Sequence, residues 1–221
     1  MYKRQPYNED RIIRIPPLDS YSVGVSWDNG LKCTGAWIWQ YANKVVRCIK
    51  YMQWRGKSWQ VICRDLEKYV KSIDSEIGFQ VLPFTMNERS QRFEHLPSVA
   101  DTVFELLGYE GLFHINPKIG NKATKFKEMH NLLGCCLFDE IGCYQDTECI
   151  SNYKVEGATA KEKDTNDHAT DALSELAVAF GAGVLKENEQ AFTRNLLQRE
   201  EEDDIIPVSY THLTLPTILR V

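Results

Sequence analysis

Two aspartates and a histidine stand in this sequence where a divalent cation could use them. Asp28 follows the apolar stretch "YSVGVSW" (21–27), and His168 and Asp171 lie in "NDHATDALSEL" (166–176), which opens an Ala-Leu-rich segment. A carboxylate held at a strand end presents oxygens in a fixed direction, and oxygen is the ligand that hard cations such as Mg²⁺ take. Each residue also has a plainer reading. "DNG" (28–30) is a turn signal, Asp171 could ride on a solvated helix face, and a histidine in a first helical turn is commonly just exposed. Asp167 suits a helix N-cap. Asp171, one turn further on, cannot serve the same cap, so its place in apolar sequence needs another explanation.

The elements that would position these residues follow from periodicity. "YSVGVSW" (21–27), "TGAWIWQ" (34–40) and "KVVRCIKYM" (44–52) read as strands rich in aromatic and β-branched residues. Short polar turns join them, which predicts an antiparallel meander. Residues 58–74 place Ile62, Leu66, Tyr69, Val70 and Ile73 at helical spacing, with Ser58 as the cap. "FQVLPF" (79–84) is a fourth strand, 98–107 a helix stopped by Gly108, and "LFHI" (112–115) a fifth strand. Helices are expected near 122–137 and 145–153 and, after the polar loop "EGATAKEKDTN", from Asp167 to Phe180. Three hairpin-linked strands followed by alternating strands and helices specify an α/β domain, a mixed sheet of about five strands with helices on both faces. This matches the ribonuclease H-like three-layer order, in which strand 1, strand 4 and a late helix bring carboxylates to the sheet centre.

Composition limits the function classes. The 221 residues suffice for one domain with a real core, at 43% hydrophobic and 26% charged residues. The formal charge of −5 argues against gripping nucleic acid by bulk electrostatics. A local basic run, "PKIGNKATKFK" with Lys118, Lys122, Lys125 and Lys127, could meet phosphates or form a solvated helix face. No apolar run approaches a membrane span and no signal peptide is visible. The seven cysteines contain no CxxC pair, and adjacent Cys135 and Cys136 make poor zinc spacing, so buried free thiols are expected.

Both ends read as foreign. "VSYTHLTLPT" (208–217) resembles an in-frame translation of a transposon adapter used in sequencing libraries, and "MYKRQ" (1–5) resembles its other strand. Residues 1–5 and 208–221 are therefore set aside as adapter-derived. Without Lys3, Arg4 and Arg220 the charge moves from −5 to −8. The remaining piece divides into a linker (6–20), the α/β domain (21–185) and a polar acidic tail (186–207) ending near "EEEDD".

Five stretches in order resemble the nuclease domain of phage terminase large subunits. "SWDNGLKCTGAWIWQ" (26–40) is similar to that family's "WDLG…D.TAIWFWQ" opening, and "RIIRIPPLDSYSVGVSWD" to the linker before it. "VLPF" (81–84), with the following helix that ends in "LLG", resembles "LPHDA…LLRALG"; "CCLFDEIGC" (135–143) resembles the "FD…C" element. "DHATDALSELAVAF" resembles the closing "SHAADALRYLA" motif. The family cuts concatemeric phage DNA during genome packaging, through a ribonuclease H-like nuclease half that follows an ATPase half.

The resemblance implies an endonuclease that hydrolyses double-stranded DNA with two Mg²⁺ or Mn²⁺ ions, one activating water and one stabilising the leaving 3′ oxygen. It implies a soluble location in the host cytoplasm, and a portal and small terminase subunit as partners. Carried over by position, Asp28 matches the first metal-binding aspartate, Asp171 the last, and His168 the histidine of the closing motif. Thr85 falls where the middle aspartate belongs, and a hydroxyl is a poor anionic ligand. The acid near Cys33 is also missing. Glu88, three residues beyond Thr85, is the acid that could complete a set of Asp28, Asp171 and Glu88, with His168 and Thr85 behind it; Asp139 and Glu140 are expected not to be ligands. Two other readings stay open: a module of the same fold with a degraded metal site that guides DNA, and another ribonuclease H-like enzyme such as a resolvase or transposase.

Overall fold

The computed structural model describes residues 9–30, 32–88, 97–108, 112–119, 122–143 and 167–193, with Lys122, Phe126 and Asp167 in backbone only. The helix expected near 145–153 and both adapter-like ends lie outside the described residues.

The first hairpin-linked strands are β2 (Val23–Asn29), β3 (Cys33–Ala42) and β4 (Val45–Arg55), which follow a short β1 (Ile12–Ile13). Asn43 and Lys44 join β3 to β4 with φ of 53° and 64°, the two-residue left-handed turn whose twist suits an antiparallel hairpin. Helix α1 (Trp59–Ser72) leads to β5 (Ile77–Leu82), the one-turn α2 (Phe84–Asn87), α3 (Val99–Leu107) and β6 (Leu112–Ile115). Then come α4 (Lys122–Leu133), β7 (Cys136–Asp139), α5 (Asp167–Gly181) and α6 (Val184–Glu187). Ser98 caps α3 reciprocally with Asp101, whereas Ser58 holds the N-cap position of α1 without a side-chain cap bond.

The seven strands form one mixed sheet in the order β1-β7-β4-β3-β2-β5-β6. β2 pairs antiparallel with β3 and parallel with β5, and β5 pairs parallel with β6. Period-2 alternation sorts the side chains of β2. Val23, Val25 and Trp27 join the core formed with α1 and α3, where Ile62, Leu66, Val70 and Val103 are buried. Gly24, Ser26 and Asp28 therefore face the other layer. There Trp37, Trp39, Tyr51 and Phe79 pack beneath α4 and α5, against Leu132, Ala172, Leu173 and Leu176. Gly24 is required on that face, because a Cβ would lie 2.4 Å from the Trp39 ring. The result is the expected ribonuclease H-like three-layer sandwich.

The structure departs from the sequence reading at four places. The sheet has seven strands rather than about five, because the expected linker contributes β1, which pairs with β7. "CLFD" (136–139) is strand β7, not a helix end; the apolar stripe of α4 simply stops at Leu133 and the next apolar residues pair with β4. Asp28 lies within β2, opposite Gly35, so "DN" continues the strand and the chain turns after it. Finally, the segment beginning at 186 is not all solvated tail: Phe192 is fully buried against Trp39, Tyr41 and Phe79.

Candidate active site

Parallel strands β2, β5 and β6 end at one edge of the sheet, and the start of α5 packs over it. Asp28 reaches this edge from β2, and its side chain is 20% exposed. A carboxylate only accepts, so the His168 imidazole presents Nδ1–H to Asp28 Oδ2 at 2.8 Å and leaves Nε2 for a ligand. Two devices set this pair. The Trp37 indole on β3 donates to the Ala169 carbonyl at 2.6 Å, tying the first turn of α5 to the sheet. Gly30 provides the room: a Cβ there would meet the Cys33 carbonyl at 2.7 Å and His168 Cε1 at 3.2 Å.

A second polar cluster adjoins the first. Glu175, whose side chain is 8% exposed, lies seven residues beyond His168, on the same stripe of α5. Asn116, just past β6, donates from Nδ2 to Glu175 Oε2 at 2.6 Å and to the Glu175 carbonyl at 2.9 Å. Lys125 of α4 donates its ammonium to Glu175 Oε1. Burial pushes the Asp28 carboxyl above its ordinary range, against the His168 hydrogen bond and charge that pull it down. Glu175 adds to the rise and Lys125 opposes it, so both charges act on Asp28.

The sequence-derived candidates divide accordingly. Asp28 and His168 are brought together. Asp171 sits between His168 and Glu175 on the same helical stripe and is exposed. Thr85 is exposed in α2, and Glu88 turns to Lys118, 3.5 Å from its ammonium, while Lys118 also lies over the Phe84 ring. No three of the His, Cys, Asp and Glu side chains among the described residues converge as a metal site, so Asp28, Asp171 and Glu88 do not form the expected triad. Asp139 accepts from the backbone of Ile15, Ile141 and Gly142, a structural role consistent with excluding it.

Sequence reasoning missed Glu175 and Asn116. The signal for Glu175 was present, since it lies one turn beyond Asp171; nothing in the local sequence marked Asn116. The basic run was also misread in part, because Lys125 points inward onto Glu175 while Lys127 stays exposed. The described cysteines are free, and Cys33, Cys48, Cys63, Cys136 and Cys143 are buried, as expected.

This sheet order, with a carboxylate on the central strand and a late helix laid over it, defines a ribonuclease H-like nuclease fold. Within that class, the solved structures it resembles are phage large terminases. The chain superposes on the full-length large terminase of a thermophilic bacteriophage with a TM-score of 0.58 and 17% identity, covering 80% of this chain and 44% of that one. It superposes on the P22 large terminase nuclease domain with a TM-score of 0.56 and 13% identity, covering 81% and 92%. For the large terminase nuclease of thermophilic phage G20c, described with bound magnesium, the values are 0.51, 11%, 80% and 98%. The chain thus spans less than half of the first of these proteins and nearly all of the isolated nuclease domains. No protein-family model and no curated protein sequence matches it.

Proposed function

We propose that this chain is the nuclease part of a phage terminase large subunit, a divalent-metal-dependent endonuclease that cuts concatemeric double-stranded DNA during packaging. The observation that carries this reading is the Asp28–His168 pair, held at the edge of the central strand on the fold of terminase nuclease domains. The magnesium bound to the G20c nuclease supports the choice of Mg²⁺ or Mn²⁺.

The residues present fit one such cation. Mg²⁺ commonly binds through one or two carboxylates, with water and substrate phosphate completing its shell. Asp28 would be the fixed ligand and Asp171, exposed on the same stripe of α5, the mobile one. A cation bound there lowers the pKa of a water ligand and neutralises phosphate charge. His168 orients the Asp28 carboxylate and presents Nε2 to the same space. Trp37 and Gly30 keep the histidine from swinging away. The protein's negative charge suits a nuclease to which DNA is delivered by other parts of a packaging motor, with a portal and small terminase subunit as partners in the host cytoplasm.

Plasmid cleavage with Mn²⁺ tests the proposal, comparing the chain with Asp28→Asn and Asp171→Asn. Cleavage by wild type and at least a roughly 100-fold loss in both variants is expected from removing a metal ligand; no activity above the variants overturns it. The exposed Thr85 and the Glu88–Lys118 pair favour one second reading, a DNA-guiding module whose metal site has degraded. Salt-sensitive DNA binding without cleavage would select it.

A further inference from the structure

We infer that Lys125 is a built-in cation of this site: its ammonium, held on Glu175 beside Asp28, takes the place of a second metal ion, so the chain binds a single divalent cation. The inference rests on the nuclease reading above and concerns how the site balances its charge.

Two dications about 4 Å apart repel and are held together only where several carboxylates converge on them. Apart from Asp171, assigned above to the single ion, the described acids at this edge already have partners. Asp28 accepts from His168, and Glu88 pairs with Lys118. Thr85 carries no charge. Glu175 is the remaining buried carboxylate, and both of its oxygens have donors, Asn116 on one and Lys125 on the other. A second ion would have to displace this lysine.

Lys125 is suited to the role. It reaches in from α4 with its side chain 30% exposed, while its neighbour Lys127 stays outside. A carboxylate as buried as Glu175 needs a compensating charge in the folded protein. Lysine supplies it permanently, without the dissociation that a metal ion undergoes. Asn116 shows that this is an organised polar pocket: it is buried, and its amide is directed onto both the side chain and the backbone carbonyl of Glu175. With a phosphodiester bound, a fixed ammonium here provides a positive charge and a donor for an oxygen that gains charge.

Titration of the whole chain with Mn²⁺, by calorimetry and by electron paramagnetic resonance of the free ion, separates the possibilities without any cleavage assay. Wild type is expected to bind one Mn²⁺ per chain. Lys125→Gln keeps a donor to Glu175 but removes the charge, and should raise the count to two. Lys125→Gln with Glu175→Gln should return it to one. Circular dichroism verifies that each variant is folded; if Lys125→Gln does not fold, the wild-type count decides. Two ions in wild type, or one in Lys125→Gln, overturns the built-in cation and leaves the nuclease reading standing. No ion bound by wild type removes both.

Discussion

Replacing Trp37 with phenylalanine tests whether the indole bond to Ala169 holds the start of α5 in place. Trp37 is fully buried, with Tyr51 and Phe138 rings 5.1 and 5.8 Å from its own. Phenylalanine removes about three heavy atoms, roughly 2 kcal/mol at ~0.8 kcal/mol per buried carbon. It also removes the indole N–H that donates to Ala169, worth about 1 kcal/mol. The total is about 3 kcal/mol, a drop of roughly 6 to 12 °C in Tm for a domain of this size. Trp39 supplies the internal control. It is equally buried, but its indole nitrogen has no hydrogen-bond partner among the described residues. Trp39→Phe loses the same carbon atoms while deleting an unsatisfied donor, so it should cost about 1 to 3 kcal/mol less than Trp37→Phe. Urea unfolding of both variants, followed by circular dichroism, measures the difference. Equal losses, or a larger loss for Trp39→Phe, would refute the assignment of the anchor to the hydrogen bond.

Two further outcomes are expected. Burial raises the Asp28 carboxyl, so its ionised form costs the fold stability above the folded-state pKa, and that cost disappears as pH falls toward the ordinary value of 3.8. Asp28→Asn should therefore be more stable than wild type at neutral pH, with the gap closing on acidification; urea titrations at both pH values check the sign, and a variant less stable at neutral pH contradicts it. His168→Ala should reduce Mn²⁺-dependent cleavage about 10- to 100-fold, the usual cost of losing a group that orients a ligand, without a matching loss of stability. Parallel kinetics and thermal melts separate the two effects.

Much of the architecture was legible in the amino-acid order. The aromatic and β-branched runs of β2, β3 and β4 announced themselves because each strand must bury one or both faces, and α1 and α3 carried stripes at helical spacing. β5, β6 and the start of α5 also fell close to their expected places. β1 and β7 did not, since strands of two and four residues are made by pairing with each other and with β4, across long stretches of sequence. Phe192 was lost in the same way: a single aromatic in a polar segment has no local period, and only the sandwich supplies its pocket among Trp39, Tyr41 and Phe79.

The site divides along the same line. Residue type and position along the chain were enough to mark Asp28, His168 and Asp171, because a carboxylate at a strand end and an acid inside an apolar helix each violate a local expectation. Which of them meet was decided by tertiary structure. The pleat turns Asp28 toward α5, the Trp37 bond sets the height of the helix, and His168 consequently lies 2.8 Å from Asp28. Glu88, nearest in sequence to the missing acid, is drawn to Lys118 instead. Glu175, Asn116 and Lys125 come from three separate elements, and their cluster exists only because β6, α4 and α5 close on the same edge of the sheet.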